Sequence, residues 1–201
     1  MFHEDDLYAK TVVMNKGRFG RGCYRYFAAP IPEVVDAIRR IVYTLVAQIA
    51  NTWQQILDDD ERFPVVWEGF RIRCAEADQT TPTPLLLRYE ASDFNDLHRD
   101  IRGEILFPIQ MAIVLSPRGN SPTEEADRFH GGDFLFCDDP VRKKSDQHTI
   151  PAGMGDAILF CTRARLVRIS GVYGWKPVKH GVDRIISGTC YVLGLPFHEY
   201  Q

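Results

Sequence analysis

No stretch of this sequence approaches the roughly 18 consecutive apolar residues that a membrane-spanning helix requires, and the N-terminus lacks the charged, apolar and small-residue succession of a secretory signal. No membrane partner is expected. Cysteine is sparse and odd in number. Cys23, Cys74, Cys137, Cys161 and Cys190 include no C-x-x-C pair, so they read as reduced thiols of a cytoplasmic protein. Internal repeats, low-complexity tracts and an interdomain linker are absent too, which leaves a single domain spanning 1–201. There is also no excess of positive charge. With 24 Lys+Arg against 27 Asp+Glu the formal net charge is −3 and the pI about 6.1. That balance argues against a grip on nucleic acid driven by phosphate neutralisation.

What is present suits one sizeable core: 201 residues, 45% of them apolar. Val34, Val35, Ile38, Ile41, Val42, Leu45, Val46, Ile49, Trp53 and Ile56 recur at three- and four-residue steps and predict a helix from Pro32 to about Asp58. Pro32 fits its first turn and the acidic run after Leu57 its end. A second helix is expected over Pro64 to Asp78. Beyond residue 84 the pattern changes to short β-branched and apolar runs, PLLLRYE (Pro84 to Glu90), FPIQMAIVLS (Phe107 to Ser116) and IPAGMGDAILF (Ile150 to Phe160). The expected architecture is mainly β, a barrel core over about 84–201 supported from outside by helices over about 32–78, whose apolar stripe is read as core. The loop from Pro117 to Arg128 reads either as a solvated connection or as a mobile insertion near a site.

The chemistry is concentrated at His98-Arg99-Asp100. In an extended strand residues i and i+2 share a face, so His98 and Asp100 project into one cavity while Arg99 points away. A third imidazole would complete a 2-His-1-carboxylate set, the ligand type of non-heme Fe(II) oxygenation, which leaves adjacent metal positions open. By residue type alone that ligand is any of His3, His130, His148, His180 and His198. A second constellation, RFGRGCYRYF, interleaves Arg18, Arg21 and Arg25 with Phe19, Tyr24, Tyr26 and Phe27. It reads as a pocket wall holding a substrate carboxylate, as a plain half-buried strand, or as a single-stranded nucleic-acid track. Charge is uneven: residues 1–140 hold 15 Lys+Arg and 23 Asp+Glu, whereas 141–184 hold 9 and 3. The basic segment either draws an anionic ligand or protects solvated strand edges.

The order of these motifs, LLLRYEASDFNDLHRD, then HGGDFLF, GDAILF and KHGVDRIISG, resembles the Fe(II)/2-oxoglutarate-dependent oxygenase superfamily over nearly the whole chain. AlkB-type and prolyl-hydroxylase-type members are similar. FGRGCYRYFAAPIPEVV and TPLLLRY narrow the likeness to the small oxygenase family labelled as acting on damaged nucleic acid. The resemblance implies a double-stranded β-helix (a jelly-roll, cupin-like barrel). It implies iron held by His98, Asp100 and His180, with 2-oxoglutarate and O2 as co-substrates and Tyr89 touching the 2-oxoglutarate. It also implies a longer N-terminus ahead of the counterpart of Met1, either trimmed or naturally short here.

One position departs from the pattern. The basic residue that in much of the superfamily follows the distal His by about ten positions is here Cys190, preceded by Thr189, and a thiol cannot replace a guanidinium fork. Arg184 is the expected substitute, with Arg88 and Arg168 behind it and hydroxyl contacts from Tyr89, Thr189 and Tyr191. The expected reaction is oxidation of a C–H bond, by hydroxylation, desaturation or ring closure, with release of succinate and CO2. The expected substrate is a small amino-acid-like molecule held by Arg18, Arg21, Tyr24, Arg25 and Arg88. Demethylation of an alkylated nucleobase is the alternative, with nucleic acid the less favoured partner, and a non-catalytic cupin-like binding module is a third.

Overall fold

The computed structural model of the chain describes residues 1–14, 20–120, 127–138 and 147–201. One 3-10 turn (Asp5–Leu7) leads into β1 (Tyr8–Met14) and β2 (Gly20–Phe27). The helices α1 (Glu33–Ile56) and α2 (Trp67–Glu76) follow, and then β3 (Leu85–Tyr89), β4 (Phe94–His98) and β5 (Ile109–Val114). The remainder is β6 (His130–Gly131), β7 (Phe134–Asp138), β8 (Gln147–Ile150), β9 (Ala157–Cys161), β10 (Ala164–Ile169), β11 (Val172–Val182), β12 (Ile185–Ser187) and β13 (Cys190–Pro196).

Eleven strands form one curled antiparallel sheet in the order β8-β7-β11-β4-β2-β3-β13-β5-β9, with β1 on β2 and β10 on β11; β12 and β6 pair separately. The curl occurs at β2. Its first residues pair with β4 (Gly20↔Asn95, Arg21↔Phe94) and its later ones with β3 (Cys23↔Arg88 to Tyr26↔Leu85), so one strand serves both halves of a jelly roll. The barrel therefore begins well before residue 84. β2 tolerates a central place because both of its faces are occupied: Tyr24 and Tyr26 face the interior while Arg25 and Phe27 pack on the other side.

The helices back the half built from β3, β13 and β5. Alternation on β13 sends Leu193, Leu195 and Phe197 toward α1 and α2, where Tyr43, Phe63, Trp67, Phe70 and Phe107 form a buried cluster with ring centroids 5.0–6.1 Å apart. Both helices are shorter than expected. α1 starts once the Pro32 carbonyl accepts from Val35 and Asp36, and it stops before Asp58, which adopts φ 56°. α2 starts at Trp67 because Val66 is still extended (φ −120°, ψ 146°), and the Pro64 carbonyl accepts from the Tyr43 hydroxyl.

The apolar periodicity of α1 is only partly core. Val35, Tyr43, Val46, Ala47 and Ala50 face the sheet, whereas Val34, Ile41, Leu45, Ile49 and Ile56 lie exposed on the opposite side. A helix with apolar residues all round carries two stripes, and periodicity alone does not say which is covered. Of the expected Pro117 to Arg128 loop, residues 121–126 lie outside the described residues. The remainder is pinned by an Arg118↔Phe129 bridge.

Candidate active site

Between the two halves of the roll lies a cavity of about 580 Å³. His98 ends β4, and the antiparallel register of β11 sets His180 directly opposite it, with ring centroids 4.3 Å apart. That approach depends on Gly181: a β-carbon there would stand 2.5 Å from the Asn95 carbonyl oxygen on β4. Asp100 lies past the end of the strand, contrary to the strand parity expected of it, yet its carboxylate still turns back. Oδ1 is 3.7 Å from His98 Nε2 and Oδ2 is 3.2 Å from His180 Nε2. One ligand atom from each of the three lies within 4.8 Å of the others.

The surrounding hydrogen bonds prepare these atoms. His98 Nδ1 is 2.8 Å from the Asp96 carbonyl, which can only accept, so the ring proton sits on Nδ1 and the Nε2 lone pair faces Asp100 and His180. Gln110 Nε2 donates to Asp100 Oδ2 at 3.0 Å. His180 is buried between Phe160 and Phe134, and its Nδ1 has no partner among the described residues. Burial, with His180 beside it, holds His98 below the ordinary imidazole range, so the ring is neutral. Burial alone would raise Asp100, but its contacts with His180, His98 and Gln110 hold it below the usual carboxylate range. Two imidazoles and an ionised carboxylate, each offering one ligand atom to a common point, are a donor set that suits a divalent cation, and the residues fit one.

The other expected residues divide sharply. Tyr24 and Tyr89 line the cavity, Tyr89 fully buried with no hydrogen bond of normal geometry to its hydroxyl although the Asn95 side chain is close. Arg184 does not reach it: its Nη1 donates to the Ser92 carbonyl at 2.8 Å and its guanidinium lies 4.8 Å above Phe94, outside the roll. Arg88 points to the opposite face of β3, where it pairs with Glu90, and the exposed Arg168 bonds the Gly171 carbonyl in the β10–β11 hairpin. Thr189, in the turn before β13, stays off the wall. Arg25 ties β2 to the N-terminal segment through Phe2, Asp5 and Thr11, while Arg21 is exposed with Asp93 at 3.3 Å. Arg18 lies outside the described residues. Of the basic segment, Arg165 and Lys176 are neutralised on Asp138.

Sequence reasoning missed Arg99, Arg102, Tyr200 and Gln110, all of which line the cavity together with Tyr26 of the Arg-aromatic constellation. Arg99 was expected to point away, a parity that lapses where the strand ends. Arg102 has no ion pair among the described residues, and its guanidinium lies 5.9 Å from the Tyr200 ring. Tyr24, Tyr26 and Tyr200 stand edge to face at 5.6 and 5.9 Å, forming an aromatic wall beside the His-Asp-His group. The one available signal was position: Arg102 and Gln110 follow closely after Asp100.

Residues 22–200 match the Oxygenase-NA family, described as "Oxygenase, catalysing oxidative methylation of damaged DNA". The chain belongs to this oxygenase family. That places it in the Fe(II)/2-oxoglutarate superfamily its motifs resemble, and the curled sheet is the family's jelly roll. Two uncharacterised Mycobacterium tuberculosis proteins, from strains CDC 1551 and H37Rv, are each 33% identical to it over 188 residues, 91% of this chain and 78% of theirs. Among solved structures a Pseudomonas putida prolyl-4-hydroxylase aligns over 96% of this chain and 78% of its own, with 11% identity and a TM-score of 0.48. A Burkholderia pseudomallei oxidoreductase of the 2OG-Fe(II) oxygenase family aligns over 58% and 43%, with 16% identity and a TM-score of 0.37. At the position where the sequence departs from the superfamily pattern it resembles stands Cys190. It is a buried thiol on the cavity wall, pushed up to about 12 by burial, and the Arg118 guanidinium acts on it in the opposite sense. Arg118 is paired with Asp133 and stacked on Phe129 at 5.5 Å.

Proposed function

We propose that the cavity holds Fe(II) on His98, Asp100 and His180, takes 2-oxoglutarate beside Tyr89, and oxidises a C–H bond of a small carboxylate-bearing, amino-acid-like molecule. The observation that carries the reading is the convergence of those three donors in one cavity, with a neutral, pre-oriented His98 and an ionised Asp100. When bound, iron with 2-oxoglutarate and O2 supplies the oxidising chemistry. The chain supplies position. The Asp96 carbonyl keeps the proton of His98 on Nδ1, and Gln110 fixes the Asp100 carboxylate. Phe134 and Phe160 exclude water around His180. Arg102, without an ion pair among the described residues, offers a fork to a substrate carboxylate, in place of the arginines expected on β2 and β3. For the far carboxylate of 2-oxoglutarate, Arg118 is the proposed cation in place of Arg184: its charge acts on Cys190, and it would have to leave Asp133 to reach the cavity, whose lining does not include it.

A second reading has its own observation: three tyrosines form a wall on which a flipped, alkylated base could stack, in keeping with the family's description. Succinate formation by the Fe(II)-loaded protein, with free amino acids and then with methylated oligonucleotides, separates the two. Stimulation by an amino acid supports the small-molecule reading. Demethylation of an oligonucleotide at near-physiological salt without such stimulation replaces it. No 2-oxoglutarate turnover at all would leave a binding module.

A further inference from the structure

Independently of that chemistry, the outer side of α1 points to a partner. Val34, Ile41, Leu45, Ile49 and Ile56 are 58, 66, 61, 45 and 41% exposed. At 100° per residue they fall within one narrow stripe, opposite the residues that pack on the sheet. From Ile41 to Leu57 the sequence contains no Asp, Glu, Lys or Arg. A solvated surface helix ordinarily turns charge toward water; this one presents an apolar stripe that includes one polar residue, Thr52, and is edged by Thr44 and Gln48.

We infer that α1 is the interface of a two-fold homodimer, in which the outer stripes of two copies pack antiparallel across an axis at Leu45. Three properties select a second copy as the occupant. An uncharged face sets no like charges together when it meets itself, and it offers nothing to a charged partner. The stripe is symmetric about Leu45: Ile41 lies four residues before it and Ile49 four after, Val34 eleven before and Ile56 eleven after. An antiparallel copy therefore sets Ile41 on Ile49 and Val34 on Ile56, the self-complementary pairing that an isologous interface requires. The area also suffices. A 24-residue helix is about 36 Å long. The five apolar side chains expose on the order of 500 Å² per copy, at the upper end of the largest patches found on monomers, and about 1,000 Å² for the pair, at the lower bound of a specific interface.

The test is sedimentation velocity on the full chain at tens of micromolar. The wild type is expected at twice the 23.0 kDa of one chain. Leu45→Glu, which sets two carboxylates against each other on the axis, is expected as a folded monomer with unchanged circular dichroism and a thermal midpoint that no longer depends on protein concentration. Val172→Glu, equally exposed but on the β10–β11 hairpin, is expected to remain a dimer. Register is checked by oxidation. Leu45→Cys should cross-link to a covalent dimer, and Val34→Cys alone should not, because its opposite residue is Ile56. A monomeric wild type would overturn the inference, as would a Leu45→Glu variant that stays dimeric or a Val34→Cys variant that cross-links as readily as Leu45→Cys. Because these readouts ignore turnover, they stand or fall apart from the reaction proposed above.

Discussion

One face of β13 and the other are built for different purposes. Leu193, Leu195 and Phe197 pack under the helices, where the buried charges are paired: Arg39 binds Glu199 at 2.9 Å through Nη1, and Glu199 also accepts from the Thr83 N–H at 3.1 Å. On the cavity face, Cys190, Val192, Gly194 and Pro196 line space, and the groups nearby are left with open valences: His180 Nδ1, the Tyr89 hydroxyl and Arg102. A satisfied region holds the molecule together. An unsatisfied one, enclosed by it, is available to a ligand.

If that division is right, substitutions on the two faces should separate activity from stability. The largest effect is expected on the open side. His180→Ala should lower 2-oxoglutarate turnover by at least about a thousandfold, the several kcal/mol of charge stabilisation that a lost metal supplies, and should leave the thermal midpoint of the metal-free protein nearly unchanged. Retained turnover would erase the distinction, and succinate yield with a melting curve decides it. Next comes the closed side. Phe107→Ala, deep among Tyr43, Phe63, Phe70 and Phe197, should cost about 3–5 kcal/mol in urea unfolding while the folded fraction keeps its turnover.

The third test probes His198, which is fully buried with both ring nitrogens unpartnered; burial brings its pKa down to about 4. The unfolded imidazole takes up a proton near 6.5, so the stabilisation is complete above that pH and is lost as the pH falls toward 4, by about 3 kcal/mol in all. His198→Leu should flatten the curve of stability against pH over that window. An unchanged slope would show that His198 is not its source. Smallest are the cation effects. Arg102→Met should raise the KM for the substrate about tenfold, about 1.4 kcal/mol, and leave substrate-independent turnover alone. Arg184→Met should leave the KM for 2-oxoglutarate within about twofold, since an exposed cation outside the cavity contributes little. A tenfold rise there would return the anchoring role to Arg184.

Local rules made much of this legible. Proline, acidic residues and three-four periodicity marked α1, and β-branched runs marked β3, β5 and β9. What sequence hid was non-local. That β2 serves both halves follows from pairings with residues some seventy positions away. That Arg88 turns outward while Tyr89 turns inward depends on which face of β3 is covered. His98 and Asp100 do meet, but only because the Asp100 carboxylate turns back from beyond the strand; β4 ends at His98, so parity governs neither Arg99 nor Asp100. Tyr200 was invisible because its place on the wall is set by a bridge to Thr81.

Gly181 carries a consequence for variation at the site. With His180 held opposite His98, position 181 of this chain has no room for a side chain, because the neighbouring strand's carbonyl occupies it. Alanine there requires β4 to withdraw, which carries His98 away from His180. Such a chain has surrendered the ligand geometry even if every liganding residue is still spelled out in its sequence. Position 181 thus bears on the site as directly as the ligands do, although it contributes no atom to it.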